Sequence, residues 1–578
     1  MTELNYTINV ENRNYYVWSV FDSTNLNQLH LLQMDPFKSK LFSDDQFTID
    51  NTGKVDITYS SVRSIDNIAA VLILNGNKTY GRIKNKFLYK CVPDDVKIPS
   101  FLVPYAIKNM GFSKVLENLY ITFSFDHWKE KNPHGRINNV IGNVDVLEHF
   151  YDYQLHCKNL SISIQQFQKN TTKAIQQHSN SHDAIIQDIT QKDKNIEDRT
   201  DTTKWYIFSI DPNNSVDFDD AFSINTIDVN KYVISVYISN VTLMLDALQL
   251  WNYFSKRVST IYLPDRKRPM LPTVLSDCLC SLQENQKRMA FVMDITITSG
   301  IVESISYTNA CIQVQKNFRY EETSLLNNFH YKLLFIVVKE LTITIPPIKT
   351  LNNSHDLVEY IMVFMNSNSA KLLKNNNTGL FRSSVAKSDS KIETNDIPLR
   401  LREFILCNSN CAKYIRGDSI RSDKDTFHSV LNLDAYAHIT SPIRRIVDLL
   451  NLIAIQKVLD IGLLSHDAFA FYINWIAQID FINASMQSTR KIQHDCTLLH
   501  LCINEPDLLN KTYNGFLFDK QEVTDGLFRY MVYLPTISMT SYVFTRVELN
   551  NYCEKDLKLF VFHDESRFKK KIRLHLVI

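Results

Sequence analysis

Four aspartates fall within ten residues of this 578-residue chain, at Asp211, Asp217, Asp219 and Asp220. Apolar residues surround them: Phe208, Ile210, Val216, Phe218 and the pair Ala221-Phe222. Carboxylates at this spacing repel one another unless cations sit between them. Oxygen-only ligands suit hard cations such as Mg²⁺, with Mn²⁺ as a substitute, held by a few carboxylates plus water and substrate phosphate. In a regular strand Asp217 and Asp219 would share a face and Asp220 would point away, so a loop or bulged strand is needed if all four converge. Three other readings compete. A solvated acidic loop is the commonest fate of a charge run, but such loops rarely carry flanking Ile, Val and Phe. An EF-hand calcium loop would need glycine where Val216 stands and a bidentate glutamate where Phe222 stands. A structural ion-pair cluster needs cations nearby, and the next basic residue downstream is Lys231.

A second concentrated run is Tyr436-Ala437-His438-Ile439-Thr440-Ser441-Pro442-Ile443-Arg444-Arg445. Ser441 is suited to N-cap a helix and Pro442 to occupy its first position, with Ile443, Ile446, Val447, Leu450 and Ile453 as its apolar face. Helix N-termini offer free N–H groups and a positive dipole end to phosphate. Arg444 and Arg445 would add guanidinium forks there, and Asp448 is spaced to orient Arg444. A capped helix with two solvated arginines is the plain alternative. A third run, Tyr262-Leu263-Pro264-Asp265-Arg266-Lys267-Arg268-Pro269-Met270-Leu271-Pro272, is a proline-braced loop with one aromatic and three cations. Beside a metal cluster such a loop suits a nucleotide chain, although a surface loop with a packed tyrosine fits it too.

The run I-D-P-x-x-x-x-D-x-D-D-A resembles the signature of the RNase II (RNB) family of processive 3′→5′ exoribonucleases, and each of the four aspartates falls on a family aspartate. The Y-x-H-x-T-S-P-I-R-R run and Leu279-Cys280-Ser281-Leu282 match as well. The resemblance implies that Asp211, Asp217, Asp219 and Asp220 hold two divalent ions, with Asp219 and Arg444 catalytic and Arg444 on the reacting phosphate. It places Tyr262 in the RNA path near the scissile bond and Tyr320, after Lys316-Asn317-Phe318-Arg319, near the 3′ end. Val358-Glu359-Tyr360-Ile361-Met362 resembles the family's VEExM helix and puts Glu359 by the terminal nucleotides, although a lone glutamate on a buried helix is more often an ion-pair partner. Arg382 and Arg445 complete the RNA-contacting set. There are departures. Tyr360 replaces the second glutamate, Ser239-Asn240 stands for an Ala-Asp pair, and Asn451-Leu452 for a His-Arg pair. The span from Tyr320 to Glu359 is short, and nothing in it matches the family aromatic that stacks against the counterpart of Tyr320.

The elements that must position these residues follow from patterning. The length allows about four domains, and 44% hydrophobic residues allow sizeable cores. No window approaches about 18 uninterrupted apolar residues and no signal peptide is evident, so an intracellular, cytoplasmic chain without membrane contact is expected. The ten cysteines lack zinc spacing, and the net charge of +1 decides nothing about nucleic acid. Strand patterns crowd residues 1–150: Val55 to Tyr59, Ala69 to Leu74 with Asn75-Gly76 as a hairpin turn, Phe87 to Pro93, Leu119 to Phe125, and Pro133 to Gly142. They predict OB or cold-shock barrels, which stack bases on aromatics or serve as plain scaffolds. Cys91-Val92-Pro93, Pro99-Ser100-Phe101-Leu102-Val103-Pro104 and the stretch from Trp128 to Gly142 resemble the paired cold-shock domains of the exosome-associated branch. No PIN-type segment precedes them, which implies no endonuclease activity.

The expected fold class is therefore multidomain α+β, with cold-shock/OB β-barrel modules flanking a central mixed α/β RNB catalytic domain. The expected divisions are a first barrel over 1–110, a second over 111–160, and a helical linker with little core over 161–204. The catalytic domain follows over 205–500, then a degenerate OB-like barrel over 505–578. In that last barrel Arg567, Lys569, Lys570, Lys571 and Arg573 could track a phosphate backbone or form a solvated edge. The expected function is hydrolysis of single-stranded RNA from its 3′ end by a monomer. A catalytically weak or inactive RNB-like RNA-binding protein and a DNA-directed nuclease remain as alternatives.

Overall fold

The computed structural model describes residues 5–22, 28–29, 34–50, 53–107, 116–178, 181–346, 350–383, 412–428, 431–524, 526–537 and 539–577. The chain divides into two compact units. One comprises 1–161, 263–265 and 491–578, and the other 162–262 and 266–490.

The first unit opens with β1 (Tyr6–Val10), β2 (Trp18–Asp22), β3 (Gln28–Leu29), β4 (Gln46–Ile49) and β5 (Val55–Tyr59), in the sheet order β3-β2-β1-β4-β5. A second sheet takes β6 (Ile68–Leu72), β7 (Arg82–Ile83), β8 (Lys86–Pro93), β9 (Phe101–Tyr105), β10 (Leu119–His127) and β11 (His134–Asn143), in the order β6-β10-β11-β9-β8-β7. The expected division at 110/111 is therefore wrong in its consequence, and the boundary residues themselves lie outside the described ones. Ile68 pairs with Phe123 and Ala70 with Ile121, so β6 to β9 belong to the second barrel and the first closes at Tyr59. Side-chain alternation identifies strands but not their partners, and β6 is buried along its whole length. Asn75-Gly76 lies in a short 3₁₀ turn on a long β6–β8 connection rather than in a two-residue hairpin. The two sheets share one core, in which Phe42 stacks on Phe101 at 5.8 Å. Helix α1 (Leu147–Cys157) follows.

The second unit starts with α2 (Gln165–Gln177) and α3 (His182–Lys192). The expected linker is instead part of a core. Phe167, Ile175, Ile185, Ile186 and Ile189 are buried with Val241, Leu245, Val447 and Leu450. Their spacing gives each short helix one apolar stripe, and a polar composition hid it. The central sheet contains β12 (Glu197–Arg199), β13 (Phe208–Asp211), β14 (Asp220–Asp228) and β15 (Lys231–Ser239), which leads into α4 (Val241–Ala247). A ribbon of β16 (Ile261–Tyr262) and β17 (Lys267–Arg268) precedes β18 (Lys287–Thr298), β19 (Ile301–Gln313) and β20 (Lys316–Arg319). The seven-stranded order is β12-β19-β18-β15-β14-β13-β20. Alternation splits its faces. Phe222, Ile224, Ile234, Val236 and Met293 pack against α5 (Phe329–Thr344) and α6 (Ser354–Asn375), while Ala221, Tyr237, Ala290 and Val292 form a smaller opposite cluster. The ribbon β21 (Leu380–Ser383) with β22 (Lys413–Arg416) comes next, then α7 (Ile446–Leu459), α8 (His466–Ile476) and α9 (Ile479–Asn504). Ile446 to Gln456 are all buried, as expected of a helix enclosed on every side.

The chain closes on an antiparallel five-stranded sheet, β25-β24-β23-β26-β27, from β23 (Tyr513–Thr524), β24 (Leu527–Leu534), β25 (Met539–Thr545), β26 (Cys553–Asp564) and β27 (Lys569–Leu576). A side chain at Gly515 would meet Leu534 Cδ2 at 2.6 Å, so glycine is what lets β23 enter this barrel. The basic end is largely committed: Lys569 pairs with Asp94 at 2.8 Å, Lys571 with Asp564 at 2.5 Å, and the Arg573 guanidinium lies 4.0 Å from the Phe562 ring centroid. Among the described residues no helix is long and apolar enough to cross a membrane, and the described cysteines are all free.

Candidate active site

The aspartate run is a loop between two strand ends. Asp211 closes β13 and Asp220 opens β14, and these strands pair antiparallel through Phe208 and Phe222. Residues 212–219 therefore leave the sheet and return to it. Ser281 fixes the return: its hydroxyl accepts from the Phe218 N–H (3.0 Å) and donates to the Val216 carbonyl (2.8 Å). The Leu282 N–H donates to the Phe218 carbonyl and the Ser239 N–H to the Asp219 carbonyl. On the other side β20 runs parallel to β13 with Arg319 opposite Asp211, and the Tyr320 N–H donates to the Asp211 carbonyl at 3.2 Å.

The four carboxylates do not point at one centre. Asp217 accepts from the Tyr262 hydroxyl (3.0 Å) and from Lys267 Nζ (3.3 Å). Asp219 accepts the Ile443 N–H on one oxygen and Arg444 Nε on the other, each at 3.0 Å. The ion-pair cations that the local sequence lacked thus arrive from remote segments. Asp211 accepts only the Ser209 hydroxyl (2.7 Å), and the Asp220 side chain has no hydrogen bond or ion pair among the described residues. Burial pushes the Asp211 carboxyl up to about 6 and that of Asp219 up to about 7. Burial and then the charges of Asp211 and Asp219 hold Asp220 well above the carboxylate range. Among the described residues no three His, Cys, Asp or Glu side chains form a ready metal-holding group. Asp211 and Asp220 nevertheless fit a hard divalent cation, because two buried, mutually repelling oxygen donors with no direct ion pair among the described residues, and only the through-space charges of Arg319 and Arg444 to offset them, are what such an ion relieves.

Arg444 does not sit in a helix. Residues 442–444 form a turn and α7 begins at Ile446, so Ser441 is not an N-cap. The Arg444 and Arg445 N–H groups both donate to the Ser441 carbonyl, and a bridge from Ser259 to Arg445 pins the turn. Backbone pairing to residues 258–260 outcompetes the helical start. Arg444 NH2 donates to Ser441 Oγ at 3.0 Å. Asp448, expected to orient Arg444, instead accepts from the Ser441 N–H and from Arg445, each at 2.8 Å. Arg382 lies on β21, and its Nε, like that of Arg445, has no acceptor among the described residues. These arginines surround His438, whose buried ring is held well below the usual histidine range by burial and then by Arg445 and Arg382.

Tyr320 stacks on His355, with centroids 3.6 Å apart and planes at 10°. His355 precedes Glu359 by one helical turn on the exposed face of α6. The sequence reading missed His355, Asp277 and the pairing role of Lys267. The i, i+4 spacing of His355 and Glu359 was the available signal for the first. The departures have structural roles. Asn240 caps α4 and donates to Asn309, while Asn451 bonds the Leu380 N–H and carbonyl and the His438 carbonyl. Tyr360 donates to the Ile345 carbonyl.

Residues 199–330 and 329–461 match the family model of the RNB domain, so the chain carries an RNB domain, flanked by OB-type barrels. It is 26% identical over 313 residues to Ribonuclease R of Chlamydia pneumoniae, covering 44% of this chain and 46% of that protein. Against Ribonuclease R of Mycoplasma genitalium it is 26% identical over 456 residues, covering 66% and 60%. The matched stretches thus span less than two thirds of those relatives. The fold matches the structure of Mycoplasma genitalium RNase R in complex with ribose methylated single-stranded RNA, with a TM-score of 0.63 at 16% identity over 99% of this chain and 100% of that one. It also matches yeast Ssd1, a pseudonuclease, with a TM-score of 0.59 at 13% identity over 97% and 81%. At such identities the likeness is one of fold.

Proposed function

We propose that this protein is a hydrolytic 3′→5′ exoribonuclease that degrades single-stranded RNA processively to nucleoside 5′-monophosphates. The contact of Arg444 with Asp219 at 3.0 Å carries the reading, because it joins the two charged motifs across 225 positions of sequence. Asp219 holds the guanidinium by Nε, and the side chain is still 44% exposed. With its other terminal nitrogen on Ser441 Oγ, the guanidinium keeps Nη1 for a phosphate oxygen, where negative charge grows as a phosphodiester is displaced. Tyr262, 39% exposed and bonded to Asp217, offers a ring face for a base, and Tyr320, beside Asp220 and Asp211, carries the stacked His355 on one face. Glu359, Arg382 and Arg445 are the remaining RNA-contacting residues of this reading. Asp211 and Asp220 would hold a divalent cation, which when bound activates water and stabilises the leaving 3′-oxygen. A second ion, using Asp217 or Asp219, needs those carboxylates released from Lys267 or Arg444. The likeness to an RNase R bound to single-stranded RNA supports the substrate class.

A second reading, an RNB-like protein that binds RNA without cutting it, draws on the paired state of Asp217 and Asp219 and on the fold likeness to a pseudonuclease. Incubating the protein with 3′- and 5′-labelled RNA and Mg²⁺ separates the two. Immediate release of 3′-labelled mononucleotide, resistance of circular RNA and slower attack on DNA are expected. Equal cleavage of circular and linear RNA, or of DNA and RNA, overturns the exoribonuclease reading. Binding without any product supports the second one.

A further inference from the structure

Asp217 is the one family-type aspartate whose two oxygens are both taken by side chains of a single ribbon. Tyr262 and Lys267 are direct partners across β16 and β17, and cross-strand partners lie on one face. The tyrosine hydroxyl reaches Oδ2 at 3.0 Å and the lysine Nζ reaches Oδ1 at 3.3 Å. Lys267 has a second anchor, Asp277 Oδ1 at 2.8 Å, in the π-helical turn Leu275–Leu279. The Ser276 hydroxyl donates to that same oxygen. All three charged groups are mostly shielded: their side chains are 23% (Lys267), 10% (Asp217) and 24% (Asp277) exposed. Their attraction is therefore stronger than that of a surface pair.

We propose that Lys267 is a positioning residue that competes with a divalent ion for Asp217, so that the site takes one cation tightly at Asp211 and Asp220 and a second only when the lysine lets go. The inference rests on the metal-dependent reading of the same site given above. An ammonium is a compact charge with three donors, and here it satisfies two carboxylates at once. A second ion bonded to Asp217 would displace it and then sit beside a cation still tethered to Asp277. Asp219 offers no easier route, because the Ile443 N–H and Arg444 occupy both of its oxygens. One or two carboxylates plus water suffice for one such ion, and Asp211 with Asp220 provides that number.

The test is a titration of the full chain with Mn²⁺ alone, reading free ion by electron paramagnetic resonance. The wild type should bind one ion tightly and a second at least about tenfold more weakly. Lys267→Met should bring the second to within about threefold of the first, and Lys267→Arg, which keeps the charge, should restore the wild-type pattern. Lys267→Gln replaces the methionine variant if thermal melting shows that it does not fold. Two equal ions in the wild type, or an unaltered second ion in the uncharged variant, overturn the role of Lys267. No bound Mn²⁺ in any of the proteins overturns the metal assignment itself, and that result is distinct from the other two.

Discussion

The aspartate loop and the arginine turn are both irregular segments beside a regular element, and both bury charge, but they settle it differently. In the arginine turn the fully buried Asp448 is matched to Arg445 and to the Ser441 N–H, and Arg444 is held by Asp219 and Ser441. In the aspartate loop the backbone is fixed by Ser281 and Ser239, while Asp211 and Asp220 have no direct ion pair among the described residues and feel Arg319 and Arg444 only through space. A buried charge with no partner is expensive. Two such carboxylates held together by well-bonded backbone repel one another, and a divalent cation of the kind proposed would relieve that repulsion. In the arginine turn most of the buried charge is met within the fold, with Asp448 Oδ2 and Arg445 Nε left without a partner among the described residues, whereas Asp211 and Asp220 have no ion-pair partner there.

The contrast breaks most visibly at Asp448. Asp448→Ala leaves Arg445 and the Ser441 N–H unpaired and should cost about 3 kcal/mol, read from urea unfolding. A loss within experimental error would mean that Asp448 does not hold the turn. Asp219→Asn keeps the size and one acceptor but removes the charge facing Arg444. Turnover should fall by at least about a hundredfold with RNA binding retained, and near-normal turnover would end its catalytic assignment. Arg444→Lys keeps the charge and loses the fork. The rate at saturating RNA should drop by about tenfold, with little change in Kd in single-turnover experiments. Looser binding at an unchanged saturated rate would make Arg444 a tether.

The smallest effect is also the most diagnostic of the contrast. Asp220→Asn removes a buried carboxyl whose ionisation is opposed by burial and by Asp211 and Asp219, so the cation-free variant should be more stable than the wild type at pH 8, by on the order of 1–2 kcal/mol, while losing activity. The signs of the pH dependence differ between the regions. Asp211, raised to about 6, keeps a proton in the folded chain that the unfolded chain has released, so it lowers stability as pH rises from about 4 to about 6, and Asp220, held well above the carboxylate range, acts with the same sign. His428 is pushed down to about 4 by burial and then by Arg382. It supports the fold above its unfolded pKa of about 6.5 and ceases to as pH falls toward 4. Thermal melts across pH should flatten in opposite directions for Asp220→Asn and His428→Gln, and slopes of one sign in both would contradict the assignment.

The strands and the two charged motifs were legible because each is a local pattern: alternation for strands, apolar residues around aspartates for a buried loop, and a hydrophobic run for the helix, whose start the Ser-Pro pair put at Ser441 and the structure puts at Ile446. What alternation could not give was strand partnership, and so β6 to β9 were assigned to the wrong barrel. Nor could a polar composition reveal that Phe167, Ile175 and Ile185 face one core.

The site divides along the same line. The sequence by itself determined which carboxylates and guanidinium groups are present and how closely they are spaced, since covalent spacing alone brings four aspartates together. Only the tertiary structure decided which of them are neutralised. The partners of Asp217 and Asp219 come from 50 and 225 positions away, and Tyr320 meets His355 across 35. Coulombic and stacking contacts depend on distance in space, which a linear chain does not carry until its strands have found their neighbours.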